Sequence, residues 1–316
     1  MAAEDARREA WLGALPTVLT LAPDEVATLK KPKPYCLCLP RQSLLPLAAD
    51  RIRAHFEAFV PPMAGDALWF EYDGTPLRWQ LPIGVLYDLL CGEESQTRQD
   101  LPWRITVHFA SFPANELLRA TVREAESVLL NGLKEACFLR CGSATPAMDL
   151  TPAAQLDLLT ALADTAEPAA AYAKYAAVAG QVEDKVQAQV AKMRQGPPRG
   201  LPLRACISPT EWRQQPVSPT TSSGEPATLG DGLAILLPAL YPHGTPKHAA
   251  SVVLVQGVRV ALSTPLVWLW EACSHPDGWL YAIIKLPPSG VSAAAPDMEP
   301  IVDASDLGDA EGSSSS

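Results

Sequence analysis

The chain has 316 residues, 48% of them hydrophobic, and a formal net charge of −10 at neutral pH. That length accommodates two domains and three folding units, and the acidic balance excludes a basic surface broad enough for nucleic acid. No run of about 18 uncharged apolar residues occurs, which excludes a membrane-spanning helix.

The charge is unevenly placed. Residues 288–316 hold Asp297, Glu299, Asp303, Asp306, Asp309 and Glu311 without a Lys or Arg, in a Gly/Ser/Ala-rich context. Such a tail has too little apolar surface to offset its ordering entropy and is expected to be disordered. The opening MAAEDARREAWLG lacks an apolar signal core, and the seven scattered cysteines suit free thiols. A cytosolic protein is expected.

In chain order, TVLTLAP and YCLCLP (Tyr35 to Pro40) read as two strands around a loop carrying Lys30, Lys31 and Lys33. A helix is predicted over Ser43 to Val60. Phe70 onward reads as a strand, a tight turn at Asp73-Gly74 and a second short strand. Leu81-Pro82 opens another helix, since Pro suits a first helical position. WRITVHF (Trp103 to Phe109) is one more strand and closes a unit over 1–114.

Residues 115–198 read as helices. Glu116 to Arg140 has few breakers, with Leu118, Val122, Leu129, Leu133 and Cys137 near one face. Thr151-Pro152 caps a second helix that Pro168 ends, and a third runs from about Ala170 to Gln195 with Val178, Val182, Val186 and Val190 four apart. Pro197-Pro198 closes the spacer.

A second unit spans 199–287. LPLRACI is a strand, Ser208 to Ala227 looks like a strand end followed by a flexible loop, and Thr228 to Leu240 is a helix. From Val253 to Cys273 the pattern of Phe70 to Leu90 returns without a gap. Gly74 meets Gly257, Pro82 meets Pro265 and Leu86 meets Leu269. WLYAIIKL (Trp279 to Leu286) matches the last strand. Hairpin, helix, hairpin, short helix, strand is the order of the ubiquitin-like β-grasp. The predicted class is α+β, two β-grasp domains flanking a helix-rich domain.

Chemistry-bearing residues are sparse. Cys36 and Cys38 face one side of a strand, and Cys137 and Cys141 lie one helical turn apart. His55, His108, His243, His248 and His275 do not cluster with them, so no metal site or cofactor is expected, and no local signature marks a cysteine nucleophile. The chain reads as non-enzymatic. Trp69, Trp79, Trp268 and Trp279 are expected to fill cores or junctions. The lysine loop reads as solvated, with attraction to anionic lipid as the second reading.

The segments Ala10 to Leu21, Tyr35 to Phe56, Leu68 to Leu90, Leu101 to Pro113 and Thr264 to Ile284 resemble the autophagy protein 5 family, most specifically in WFEYDGTPLRW…PIG. The resemblance implies covalent attachment of the ubiquitin-like autophagy protein 12 and non-covalent binding of the coiled-coil autophagy protein 16. It also implies transient contact with the conjugating enzymes of the pathway and peripheral association with the forming autophagosome membrane. The assembly would act ligase-like in lipidation of autophagy protein 8 homologues. The family's acceptor lysine matches Lys134 in NGLKEACFLR, where Glu135 would either orient the amine or compete for it. Arg8, Trp11, Leu12 and Arg41 fall where the coiled-coil helix would dock, although an N-terminal helix packing on its own module is the alternative for Trp11. A plain ubiquitin-like membrane or protein adaptor, never modified, is the competing class.

Overall fold

The computed structural model describes residues 2–61, 68–91, 101–192, 200–248 and 251–286. The expected tail disorder and the Pro197-Pro198 break lie outside these residues.

The chain opens with α1 (Ala3–Leu12), then β1 (Ala14–Leu21), β2 (Tyr35–Pro40), α2 (Ala49–Phe56), β3 (Trp69–Tyr72), β4 (Thr75–Pro76), α3 (Ile83–Leu90) and β5 (Trp103–His108). The strands form one sheet in the order β2-β1-β5-β3-β4. The central pair β1 and β5 is parallel; its neighbours are antiparallel. Alternation along β1 sends Leu15, Leu19 and Leu21 inward onto Ile52 and Phe56 of α2. The helix predicted from Ser43 is shorter, because Pro46 lies in a tight 3-10 turn over Leu45–Ala48 and α2 begins only after it.

The helical region comprises α4 (Val122–Cys141), α5 (Thr145–Met148), α6 (Pro152–Ala163) and α7 (Pro168–Lys192). The first helix starts at Val122, not Glu116. Trp79 Nε1 donates to the Leu118 carbonyl at 2.7 Å, and Thr121 N donates to Glu124 Oε2 at 3.0 Å in a capping box. Leu117 is therefore the buried residue, while Leu118 is 68% exposed. Pro168 opens α7 instead of ending α6, which stops at Ala163. Within α7, Val178, Val182 and Val186 are buried, as their four-residue spacing predicts.

The second module contains β6 (Leu201–Cys206), β7 (Trp212–Val217), α8 (Leu229–Leu236), β8 (Val252–Val255), β9 (Val258–Arg259), α9 (Leu266–Cys273) and β10 (Leu280–Lys285). Its sheet runs β7-β6-β10-β8-β9, the order of the first, with β6 and β10 parallel. The helix expected from Thr228 to Leu240 is shorter, ending at Leu236, and Ser208 to Ala227 differ from the strand end and flexible loop expected of them. Residues 208–227 contain a full edge strand, β7, and Pro216 is accommodated because edge strands tolerate a missing donor. The two hairpin turns match: Asp73-Gly74 has φ of 47° and 76°, Gln256-Gly257 has 53° and 76°. Positive φ at both central residues gives a turn whose twist suits a two-residue hairpin.

The modules meet directly. Tyr281 and Ile283, on the second sheet's outer face, join the core of the first module. Lys285 Nζ donates to the Leu89 and Cys91 carbonyls at 2.8 and 3.2 Å, where a cation complements the C-terminal end of α3. Arg140 makes a bidentate pair with Glu183 at 2.7 and 2.9 Å and lies over the Trp270 ring at 4.1 Å, tying α4, α7 and α9 together.

Candidate functional site

Lys134 lies on α4, half-exposed, its Nζ donating to Asn131 Oδ1 at 3.4 Å. It borders a groove of about 360 Å³ between α4 and β7, walled by Phe138, Leu139, Gln214, Gln215 and Pro216 and floored by Trp279. Phe138 is 56% exposed, so the amine stands beside apolar surface that no part of the described chain covers. Glu135 is exposed next to it.

The floor is fixed by a buried polar network. Trp279 Nε1 donates to the Gly132 carbonyl at 3.2 Å. Arg204 stacks over Trp279 at 4.4 Å and donates to Tyr281 Oη and Gln214 Oε1, each at 2.8 Å; Tyr281 in turn donates to Asp277 Oδ2 at 2.7 Å. Burial pushes the Asp277 carboxyl and the Tyr281 phenol above their ordinary ranges. Burial works against the charge on Arg204, but Tyr281 and Asp277 beside it prevail and hold the guanidinium protonated. The Lys134 helix is thus held by the second module, though every second-module residue of the network is remote from it in sequence.

The four residues expected at the coiled-coil surface separate. Arg8 and Leu12 are exposed on α1. Trp11 turns inward: it is 7% exposed and stacks on Tyr175 of α7 at 4.4 Å and 14°. The helix therefore packs mainly on the helical region and on α9, where Arg7 Nε donates to the Glu271 carbonyl at 2.6 Å, while Gln42 of its own module donates to the Ala10 carbonyl at 3.5 Å. Arg41 is paired with Asp88 at the junction of the two modules, 11% exposed, with Gly84 and Gly257 against its side chain. Burial pushes the Asp88 carboxyl upward against the pull of Arg41.

Next to α1 lies an apolar groove of about 430 Å³, lined by Ala6, Glu9, Ala10, Arg41, Val258 and Trp268 among others. Val258 is 64% exposed, while Trp268 is half-buried, packed against the core of the second module as expected and also bordering this groove. The signal in the sequence was the WLW run, of which only Leu269 and Trp270 fit the buried face of α9. Trp69, Trp79 and Trp279 are buried, as expected.

The thiols divide by burial. Cys36 and Cys38 are exposed on the outer face of β2; Cys137, Cys141 and Cys206 are buried. Burial pushes the thiols of Cys137 and Cys206 up to about 12 and Cys273 up to about 11, leaving them protonated near neutral pH. Among the described residues, no helix is long and apolar enough to cross a membrane.

Fold and surface together define a double ubiquitin-like protein built around a helical bundle, with a lysine-bearing groove beside α4 and an apolar groove beside α1. Three family profiles match in that order: "Autophagy protein ATG5, UblA domain" over residues 10–109, the "alpha-helical bundle region" over 122–178 and the "UblB domain" over 200–284. Autophagy protein 5 of Aspergillus fumigatus is 32% identical over 327 residues, covering 89% of this chain and 94% of that protein. The Neosartorya fischeri protein is 31% identical over 322 residues with the same coverage. The Oryza sativa subsp. japonica protein is 41% identical over 155 residues, 48% of this chain and 38% of that protein. The crystal structure of Kluyveromyces marxianus Atg5 covers 89% of this chain and 100% of its own, with a TM-score of 0.68 at 20% identity, a likeness of fold. The chain belongs to the autophagy protein 5 family, and its role lies in autophagy. That membership fits a scaffold-type subunit.

Proposed function

We infer that this chain is the acceptor of a ubiquitin-like modifier, autophagy protein 12, joined by an isopeptide bond to Lys134. The observation that carries the reading is the setting of this amine, at the rim of a groove whose exposed Phe138 and Pro216 offer apolar area for a docked modifier. In the reaction the deprotonated Nζ attacks the modifier's C-terminal thioester carbon on a conjugating enzyme. A C–N bond forms, the C–S bond breaks, the enzyme's thiolate leaves and the amine proton passes to base. The chain supplies the nucleophile, and the conjugating enzymes visit transiently.

The coiled-coil partner, autophagy protein 16, is assigned to the groove beside α1, where an amphipathic helix would bury apolar side chains on Val258 and Trp268. Arg41 borders this groove and holds the module junction, Trp11 acts from behind by holding α1, and Arg8 and Leu12 are exposed on α1 outside the groove's lining. The assembled conjugate promotes lipidation of autophagy protein 8 homologues while peripherally associated with the forming autophagosome membrane.

The test is the intact mass of the protein isolated from cells, followed by mapping of the branched peptide. One added modifier on Lys134 supports the reading. A chain that remains unmodified while still capturing the coiled coil would make it a plain ubiquitin-like adaptor instead.

A further inference from the structure

We propose that the loop between β1 and β2 is a membrane contact, Leu29 entering the headgroup layer of an anionic bilayer while Lys30, Lys31 and Lys33 bind its lipid phosphates and carboxylates. This rests on the peripheral membrane association inferred above and assigns it a surface.

Leu29 is 109% exposed, more than any other large hydrophobic side chain among the described residues. Scattered exposed leucines are ordinary in folded proteins. This one is presented by a pinned loop. Ala27 N donates to the Phe59 carbonyl at 2.8 Å, Thr28 Oγ1 donates to the Lys30 carbonyl at 2.7 Å, and the His55 ring meets the Lys33 carbonyl at 3.0 Å. Pro32 and Pro34 restrict φ on either side of Lys33. The fold thus holds an aliphatic tip in water, beside three exposed ammonium groups.

Acid is kept away from that tip. Glu25, the carboxylate a few residues before it, turns inward and accepts from the Phe109 and Ala110 amides at 2.5 and 3.1 Å. Asp24 is the exposed acid on that approach, and Glu57 lies beyond the loop on the turn after α2. Because the whole chain is acidic, attraction must be local, within a Debye length of about 8–10 Å. An anionic bilayer meets this requirement and also takes up the leucine, which a soluble polyanion would leave in water. The loop sits at the end of β1 remote from α1, so a bilayer there leaves the α1 groove open.

The experiment is flotation of the full chain with vesicles of phosphatidylcholine, with and without phosphatidylserine, at low and physiological salt. Binding to the phosphatidylserine vesicles is expected, weakening with salt. Replacing the three lysines with Ser should reduce it roughly 100-fold, and Leu29→Ser roughly tenfold, with melting curves unchanged. Wild-type binding that neither variant alters would overturn the proposal and leave membrane association to another surface. Failure of the wild-type chain to bind any vesicle would also overturn it, and flotation of the conjugate with its coiled-coil partner would then decide the broader reading. Binding to heparin in place of vesicles, lost in the lysine variant but indifferent to Leu29→Ser, would assign the loop to a soluble polyanion and overturn it as well.

Discussion

The indole nitrogen of Trp279 donates to the carbonyl oxygen of Gly132, so the second ubiquitin-like module is bonded to α4 two residues before Lys134. Gly278 makes that approach possible. It has φ of 79°, and a Cβ there would stand 2.7 Å from the Cβ of Ala136. Gly278→Ala should cost about 2–4 kcal/mol, from strain and contact together. Gly74, at φ 76° with nothing within 4 Å, is the control: Gly74→Ala carries the strain alone and should cost about 1 kcal/mol. Thermal melts of the two variants, with conjugate yield alongside, check the difference; equal costs would mean that α4 and the turn are not in contact.

Gly257→Val combines two penalties. Its φ of 76° disfavours a β-branched residue, and a Cβ would lie 2.8 Å from Arg41 Nη2 at the paired Asp88. The expected cost is about 3–5 kcal/mol, more than the turn alone would give. An unchanged denaturation midpoint would contradict the junction.

Trp11→Asp should unfold the helical region instead of weakening partner capture selectively. The substitution removes a stacked, buried indole and buries a carboxylate beside Tyr175, for a loss of about 3–5 kcal/mol. Trp11→Phe should recover most of it. The discriminating measurement is partner capture per folded molecule, which should stay at the wild-type value.

Burial pushes the imidazole of His275 down to about 3, with Arg41 and Arg204 adding to the effect, from an ordinary value of 6.5. The folded state therefore keeps the ring neutral where the unfolded chain would protonate it. The sign follows: stability is unaffected above 6.5 and falls as the pH drops from there toward about 3. The full window corresponds to a slope of about 1.4 kcal/mol per pH unit from this group. Urea denaturation of His275→Phe across that range should show a shallower loss; an identical pH profile would remove His275 as its source.

Lys134→Arg keeps the charge and length but lacks an amine able to attack a thioester near neutral pH. It should abolish the conjugate while leaving the fold and coiled-coil capture intact, and lipidation of the autophagy protein 8 homologue should fall with it. The nearest lysine onward in the chain is Lys174, on a different helix, so replacement by a neighbour is not expected. A persisting conjugate band of wild-type intensity, in cells carrying only the variant, would move the acceptor elsewhere.

Both β-grasp modules were legible because each is specified locally. Alternation in β1, the Gly74 and Gly257 turns and the proline before each short helix repeat in the same order, and a two-residue turn with positive φ favours glycine at its second position wherever the module sits. The valines of α7 likewise announced one buried stripe through their spacing. Helix starts were less legible: the run from Glu116 looked continuous until Trp79, nearly forty residues earlier, took up the Leu118 carbonyl.

Periodicity identifies a face but not what covers it. Trp11 reads as one apolar residue on a short amphipathic helix, equally suited to a partner or to Tyr175, and only the packing of α1 onto α7 and α9 turns it inward. Arg41 reads as a loop cation until the modules close and place Asp88 and Gly257 around it. The sequence by itself determined the repeated sheet order and the turns, and the family segment pointed to Lys134 as the proposed acceptor. The groove beside Lys134 was decided by tertiary structure alone, because its walls come from α4 and β7 and its floor is Trp279. Contacts between residues so far apart leave no local pattern, since each side chain satisfies its own strand or helix equally well before they meet.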